Sequence, residues 1–346
     1  MSEEKYTRVV VLIPAYKPDE RLITLTKELI DNQLDVLLVD DGGGETFRHI
    51  FDACRKLGAE VAVHAVNMGK GRALKTGINA AMIKWPDMAG IVTADADGQH
   101  TPKDIVRLID ALREHPDKLV LGSRAFTGNV PKKSLWGNKI TRTVYALVSG
   151  VRVGDTQTGL RALPRCALAA MARIDGERYE YEMNVLLKLR DMNIGVFEAP
   201  IETIYIDDNA GSHFNPVRDA IKIYMVIFKH LFMYLFSSGF STVVDWALFL
   251  LFRCLNLSLL LSYAFARLVS SQVNYRMNKH AVFGGRGGKY SMVKYYALCV
   301  MQGAIGAGLV EFLPTVLPIA GEVLKIPVDI VLFMLSYMIQ RDYVFK

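Results

Sequence analysis

Asp95-Ala96-Asp97-Gly98-Gln99-His100 follows a short apolar run, Gly90–Thr93, and sets two carboxylates at positions i and i+2. In extended backbone such positions point the same way, so Asp95 and Asp97 can face one ligand. Hard oxygen donors of this kind, with Gln99 beside them, suit Mg²⁺ or Mn²⁺. A nucleoside diphosphate is the anion such a cation would bridge to carboxylates, and the cation eases its departure as a Lewis acid. An isolated Asp-x-Asp also occurs in ordinary surface turns, so the neighbouring segments matter. Pro14-Ala15-Tyr16, with Asp19 and Glu20 behind it, follows the run Val9–Ile13. Asp40-Asp41-Gly42 follows Val36–Val39; an acidic group there can accept from a base imide or a ribose hydroxyl, although Asp-Gly also makes a simple turn. Asn67-Met68-Gly69-Lys70-Gly71-Arg72-Ala73 opens a helical pattern, where glycines admit close approach and Lys70 and Arg72 can hold phosphate. It is not a P-loop, since the spacing before Gly-Lys is wrong and no Ser or Thr follows the lysine.

The elements that must position these groups alternate between strand and helix as far as about Ala210. Strands are expected at Val9–Ile13, Val36–Val39, Glu60–Ala65, Gly90–Thr93 and Leu119–Leu121, and helices at Asp19–Asp31, Thr46–Leu57 and Ala73–Ile83. That order implies a Rossmann-like α/β domain with a mostly parallel sheet and ligands at the carboxyl ends of its strands. No internal repeat stands out.

The chain changes character near Asn215. Val217, Ile221, Met225, Phe228 and Leu231 recur at near-helical spacing among Arg218, Lys222 and Lys229, the pattern of an amphipathic helix at a membrane surface. Four apolar spans follow, at about 232–253, 257–277, 293–313 and 323–340, each near the roughly 20 residues a crossing needs. The second is the weakest, being interrupted by Arg267, Gln272 and Asn274. Asp245 and Glu311 fall at membrane depth and are expected to face the bundle or a polar path. The division is therefore residues 1–215, a catalytic domain; 216–231, a juxtamembrane helix; and 232–346, an all-α transmembrane domain of four helices.

Charge supports this division. The 346 residues carry a mean hydropathy of +0.21, with 51% hydrophobic and 22% charged, which suits neither a wholly soluble enzyme nor a pure bundle. The first 230 residues are nearly neutral, so the soluble part shows no signature of nucleic-acid binding. From residue 231 there are ten Lys and Arg against five Asp and Glu, which carries most of the net charge of +6. Arg276, Lys279, Arg286, Lys289 and Lys294 cluster between the second and third spans, which makes that loop cytosolic. Four spans then put both termini in the cytosol, in keeping with a polar Met1–Thr7 that reads as no secretory signal. The expectation is a multi-pass protein of the cell membrane with its catalytic domain cytosolic. Cys54, Cys166, Cys254 and Cys299 have no paired spacing and suggest neither disulfides nor a zinc site.

Taken together, these segments resemble the inverting glycosyltransferases of the GT-A fold, family 2, near the dolichyl-phosphate mannose synthases and bactoprenol glucosyltransferases. The resemblance covers about residues 8–230 and extends to Gly122-Ser123-Arg124 and Asp155-Thr156-Gln157-Thr158-Gly159-Leu160-Arg161. It departs from the family at Lys17-Pro18, where many members have Asn-Glu, and lacks the Gln-x-x-Arg-Trp of processive polymer synthases. It implies that Pro14, Tyr16, Glu20, Asp40, Asp41 and Lys70 bind the donor, with Asp40 and Asp41 reading the nucleoside. It also implies that Asp95, Asp97 and Gln99 hold metal and diphosphate, that Asp97, Arg124 and Asp155 serve catalysis, and that Arg124 meets phosphate or acceptor. The membrane part is similar to the GtrA-type four-helix family through Phe236-Ser237-Ser238-Gly239, Asp245, Asn274-Tyr275-Arg276-Met277-Asn278 and Ala281-Val282-Phe283.

These resemblances and the membrane setting imply a polyisoprenyl phosphate acceptor, undecaprenyl or dolichyl. A phosphate monoester is already anionic near neutrality (second pKa about 6), so no dedicated base is needed. Cations must instead bring two phosphate-bearing reactants together. Arg124, Lys133, Arg142 and Arg218 are the candidates, with Lys132 and Lys139 beside Lys133; a solvated basic face or attraction to anionic lipid would use the same charges. Asp155 is either a base, as in alcohol-accepting relatives, or an orienting group for Arg161 or a hydroxyl. Glu182 either lines the same cavity or caps a helix face. Two other readings stay open: transfer to another lipid alcohol, and a lipid-linked sugar flippase with a nucleotide-sugar-binding domain. Oligomers are compatible with all three.

Overall fold

A computed structural model describes residues 8–124, 132–202, 218–317 and 321–346; side chains at 132–138, 218–220 and 321–322 lie outside that description. The chain divides into two compact units, Met1–Ile227 and Phe228–Lys346.

The first unit is an α/β sandwich. Its strands are β1 Val9–Ala15, β2 Asp35–Asp40, β3 Glu60–Val63, β4 Gly90–Thr93, β5 Lys118–Arg124, β6 Arg161–Pro164 and β7 Gly195–Ile201. The helices between them are α1 Arg21–Asp31, α2 Glu45–Leu57, α3 Lys70–Lys84, α4 Pro102–Glu114, α5 Lys132–Ser149, α6 Arg165–Met171 and α7 Glu180–Lys188. They form one sheet in the order β3-β2-β1-β4-β6-β5-β7, parallel except for β6, which runs antiparallel to both neighbours. β6 was not anticipated, because it begins inside the Asp155–Arg161 segment, which reads as a motif loop.

Because successive side chains on a strand alternate, β1 feeds both faces. Val10 and Leu12 join the core beneath α3, α5 and α6, while Val9, Val11 and Ile13 join the core beneath α1, α2 and α4. All seven residues of β1 are buried, as a central parallel strand covered on both faces requires. Gly77 lets α3 lie directly on this strand, since a Cβ there would fall 2.2 Å from Leu12 Cδ1. The sheet order sets β2, β1 and β4 side by side, so the segments after them converge at one end of the sheet.

Helix α8, Arg218–Cys254, begins in the first unit. Ile227 is fully buried in the core beneath α3 and α5, with Ile223 and Tyr224 packed on it, and the Tyr224 hydroxyl meets Thr141 Oγ1 at 3.1 Å. Ile221 and Met225 are exposed instead.

The second unit contains the rest of α8 with α9 Leu259–Met277, α10 Ser291–Val316 and α11 Gly321–Ile339. Three described segments are long and apolar enough to cross a membrane: Ile221–Cys254, Ser291–Val316 and Val323–Val344. The expected second span is a 19-residue helix, α9, but is not among those three. Asp245 faces inward, accepting from the Ser270 hydroxyl at 2.7 Å with Arg267 at 3.6 Å. Glu311, expected to face the bundle or a polar path, is exposed near the end of α10. All four cysteines are free.

Candidate active site

A cleft of about 630 Å³ opens at the carboxyl ends of β1, β2 and β4. Pro14, Tyr16, Asp41, Lys70, Asp95 and Asp97, all expected from the sequence, line it together, as do Arg21 and Arg178, which were not expected.

Lys70 begins α3 and reaches across the cleft. Its Nζ lies 2.7 Å from Asp95 Oδ1 and 3.2 Å from Glu182 Oε2. Burial alone would lower the Lys70 pKa, but the two carboxylates outweigh it and hold the ammonium well above its ordinary range. Burial would likewise raise Asp95, yet Lys70, together with His100 Nε2 at 3.4 Å, holds it well below the usual carboxylate range. Asp97 is shifted the other way: burial and then the charge of Asp95 raise its pKa, against one hydrogen bond from the Gln99 N–H at 3.0 Å. Two adjacent carboxyls are thus driven apart, one firmly ionised and one reluctant.

This donor set fits a divalent cation shared with a ligand. Among the described residues no three His, Cys, Asp or Glu side chains converge on one point. Asp95 and Asp97 supply two carboxylates, the number Mg²⁺ takes where phosphate oxygens and water complete its shell. The Asp155–Arg161 loop runs past this pair so closely that a Cβ on Gly159 would fall 2.4 Å from Asp95 Oδ2.

Asp41 does something its motif did not announce. Its Oδ1 accepts from His64 Nδ1 at 2.8 Å and the Met68 N–H at 2.9 Å. Its Oδ2 accepts from Asn67 Nδ2 at 3.1 Å and the Gly69 N–H at 2.8 Å. A carboxylate has about four lone-pair sites, and all are taken. His64 donates from Nδ1 to the carboxylate, and its Nε2 continues to Thr76 Oγ1 on α3 at 2.9 Å. The carboxylate therefore clasps the loop that launches Lys70. Among the described residues Asp40 is tied only through Oδ1, which accepts from the Gly43 N–H at 2.9 Å. Glu20 stands largely exposed, with His49 3.8 Å away.

Deeper in the sheet, Arg124 at the end of β5 forms a two-pronged pair with Asp155, at 2.5 and 3.1 Å. Asp155 is fully buried and also accepts from the Gln157 N–H at 2.9 Å. Arg161 is not its partner; that guanidinium donates to the carbonyls of Thr158, Glu182 and Thr156. Arg142 is exposed and donates to the Val153 carbonyl at 3.1 Å. The side chains of Lys133 and Arg218 fall outside the described residues. Glu182, left open by the sequence, does not itself line the cleft but contacts Lys70, which does.

Residues 10–171 match Glycosyl transferase family 2, and residues 233–345 match the GtrA/DPMS transmembrane domain. A UDP-N-acetylglucosamine–dolichyl-phosphate N-acetylglucosaminyltransferase of Methanococcus voltae is 30% identical over 221 residues, 58% of this chain and 86% of that protein. A polyprenol monophosphomannose synthase of Mycolicibacterium smegmatis is 29% identical over 208 residues, 56% and 76% of the two chains. An undecaprenyl-phosphate mannosyltransferase of Micrococcus luteus is 28% identical over 210 residues, covering 56% and 82%. Among solved structures, a glucosyl-3-phosphoglycerate synthase of Mycobacterium tuberculosis with Mn²⁺, UDP-glucose and phosphoglyceric acid aligns over 66% of this chain and 81% of its own, at 15% identity and a TM-score of 0.49. The two family matches and the Methanococcus voltae relative make the chain a member of glycosyl transferase family 2, a mostly parallel α/β unit joined to a GtrA/DPMS-type membrane unit.

Proposed function

We propose that the enzyme transfers a hexose from a UDP- or GDP-sugar to a polyisoprenyl phosphate, with inversion, giving a lipid-linked monophosphate sugar. The acceptors in the names of the three relatives support the lipid phosphate. The observation in the chain that carries the reading is the capture of Asp155 by Arg124. A fully buried carboxylate with both oxygens in a guanidinium pair is poorly placed to take a proton from an alcohol. A phosphate oxygen needs no such base.

In this reading Asp95 and Asp97 hold Mg²⁺ or Mn²⁺ at the donor diphosphate, with Gln99 fixing the turn. The cation supplies charge neutralisation for the leaving diphosphate. Lys70 exchanges carboxylate for phosphate oxygens as the donor enters, while Glu182 keeps it in the cleft. Pro14 and Tyr16 line the nucleoside end. Asp41 is occupied within the chain, so reading the nucleoside falls to Asp40, whose Oδ2 has no partner among the described residues. Arg124, aligned by Asp155, meets the acceptor phosphate, with Lys133, Arg142 and Arg218 as further cations along its approach.

The start of α8 serves as the juxtamembrane element: one face packs on the catalytic unit and Ile221 and Met225 lie open. Residues 232–346 cross the membrane four times, α9 included, with the catalytic unit and both termini cytosolic. The acceptor class is tested by offering undecaprenol and undecaprenyl phosphate side by side to the full-length enzyme with a panel of nucleotide-sugars. Labelling of the phosphate alone is expected. Labelling of the free alcohol, abolished in Asp155→Asn, would reverse the acceptor assignment.

A further inference from the structure

The membrane unit contains the same hairpin twice. The arm of α8 ends at Cys254 and α10 at Val316; α9 runs Leu259–Met277 and α11 runs Gly321–Ile339. Both pairs of helix ends are displaced by 62 positions (316 less 254, 339 less 277). Both second arms end in a π-helical turn, Asn278–Val282 and Gln340–Val344, at the same displacement. Around these turns Asn274-Tyr275-Arg276-Met277-Asn278-Lys279-His280-Ala281-Val282-Phe283 lies over Ser336-Tyr337-Met338-Ile339-Gln340-Arg341-Asp342-Tyr343-Val344-Phe345. Tyr, Val and Phe are identical; the amide, the basic residue and the small polar residue change only in kind.

The contacts repeat as well. In an interface with a two-fold axis, each contact has a mate with its partners exchanged. Tyr275 meets Phe345 with ring centroids 5.8 Å apart at 35°, and the mate, Tyr337 with Phe283, is 5.8 Å apart at 34°. Tyr295 of the second hairpin meets Tyr275 at 5.4 Å and 61°; Tyr234 of the first meets Tyr337 at 5.4 Å and 62°, one place off the common displacement. Asn278 Nδ2 donates back to Asn274 at 2.9 Å, and Gln340 Nε2 donates back to Ser336 at 3.1 Å. On the axis itself, Asn278 donates to Gln340 at 3.0 Å and Phe283 stacks on Phe345 at 5.0 Å.

We infer that residues 229–283 and 291–345 are tandem copies of one helical hairpin, joined face to face through the Asn278–Gln340 clasp as two subunits of a symmetric dimer would be. The surface each hairpin presents is built to recognise a second copy of itself. Because the two π-turns lie against each other, the axis runs along the helices, and the two hairpins point the same way through the bilayer. This pattern, two parallel repeats about an axis along the membrane normal, is one that other membrane proteins use. It also decides the status of α9. Its copy, α11, is apolar enough to cross, and 19 residues of helix span about 28 Å, close to the hydrocarbon thickness. The polar residues that make α9 look unsuited are turned to partners: Gln272 to Tyr296 at 3.0 Å, Asn274 to Tyr295 at 2.7 Å, and Arg267 to Asp245.

Two measurements on the full-length protein test this. In a background lacking the four cysteines, Asn256→Cys and Lys289→Cys are probed in sealed vesicles with a membrane-impermeant maleimide. Labelling from opposite faces is expected; labelling of both from one face would mean that α9 turns back and the copies are not parallel. The second is a transplant, in which the first turn replaces the second through Gln340→Asn, Arg341→Lys, Asp342→His and Tyr343→Ala. Copies of one unit should accept it, leaving a monodisperse protein melting within about 4 °C of the parent, while Gln340→Leu melts well below. A transplant no better than Gln340→Leu overturns the duplication.

Discussion

Asp41→Asn separates the role its motif suggests from the role its contacts show. The carboxylate accepts four hydrogen bonds, two on each oxygen, and is almost wholly buried. An amide keeps one oxygen as acceptor and turns an NH₂ toward the other two donors, so two charge-assisted bonds are lost. Each such bond contributes roughly 1.5–3 kcal/mol, which makes the local cost about 3 kcal/mol or more. At about 1.4 kcal/mol per decade, the loop of residues 66–73 should open about a hundredfold more often. Hydrogen exchange of the Met68 and Gly69 amides in the full-length protein reads this directly, with the core strand β1 as internal reference. His64 refines the test. His64→Asn carries an N–H near the position of Nδ1 and should keep the loop protected, while His64→Gln reaches Thr76 alone and should lose about tenfold in protection. Exchange unchanged in Asp41→Asn, together with lost nucleotide binding, would refute the clasp and return Asp41 to the nucleoside.

Other consequences follow from the same cleft. Asp97 has a raised folded pKa, so it favours the fold only at low pH, and that contribution is lost as pH rises through the folded value. Asp97→Asn should therefore melt higher than the parent at pH 7 without divalent ions, and gain nothing when Mn²⁺ is added, by thermal shift. In the parent, metal-dependent donor binding should fall as pH drops through the raised Asp97 value, while Asp95 stays ionised; calorimetric titration with Mn²⁺ across that range checks it. Gly159→Ala removes no functional group but presses on Asp95, and should lower transfer about a hundredfold with the circular dichroism unchanged. Asp155→Ala removes the carboxylate of the two-pronged pair with Arg124 and should cost about 2–3 kcal/mol, below the usual figure for a buried pair because Arg124 retains some solvent; chemical denaturation measures it.

The part of the site legible in sequence was the part attached to strand ends. Asp95, Asp97, Pro14, Tyr16 and Asp41 converge because each follows a short apolar run, and parallel strands deliver their carboxyl ends to one edge. What was not legible lies in pairings between distant residues. Arg124 with Asp155 is decided by the loop that leads into the antiparallel β6, and Lys70 with Glu182 by the packing of α3 on α7; a lone Arg or Glu does not name its partner. His64 sits in no recognisable spacing; its signal was only that a histidine follows an edge strand two residues before the Lys70 loop. The duplication was hidden for a different reason. Lipid-facing positions accept any apolar residue, so the two hairpins agree only where they touch each other, at Tyr275 and Tyr337 and around the two π-turns. α9 read as a weak span partly because of Gln272 and Asn274, whose side chains meet Tyr296 and Tyr295 inside the unit, which a count of residues does not register.

The central claim is tested most directly by incubating membranes containing the full-length enzyme with Mn²⁺ or Mg²⁺, undecaprenyl or dolichyl phosphate, and radiolabelled nucleotide-sugars in turn. One donor should give organic-extractable label that is released by mild acid and absent with Asp97→Ala. Label that resists mild acid, or that persists in Asp97→Ala, would contradict a metal-dependent transfer to lipid phosphate.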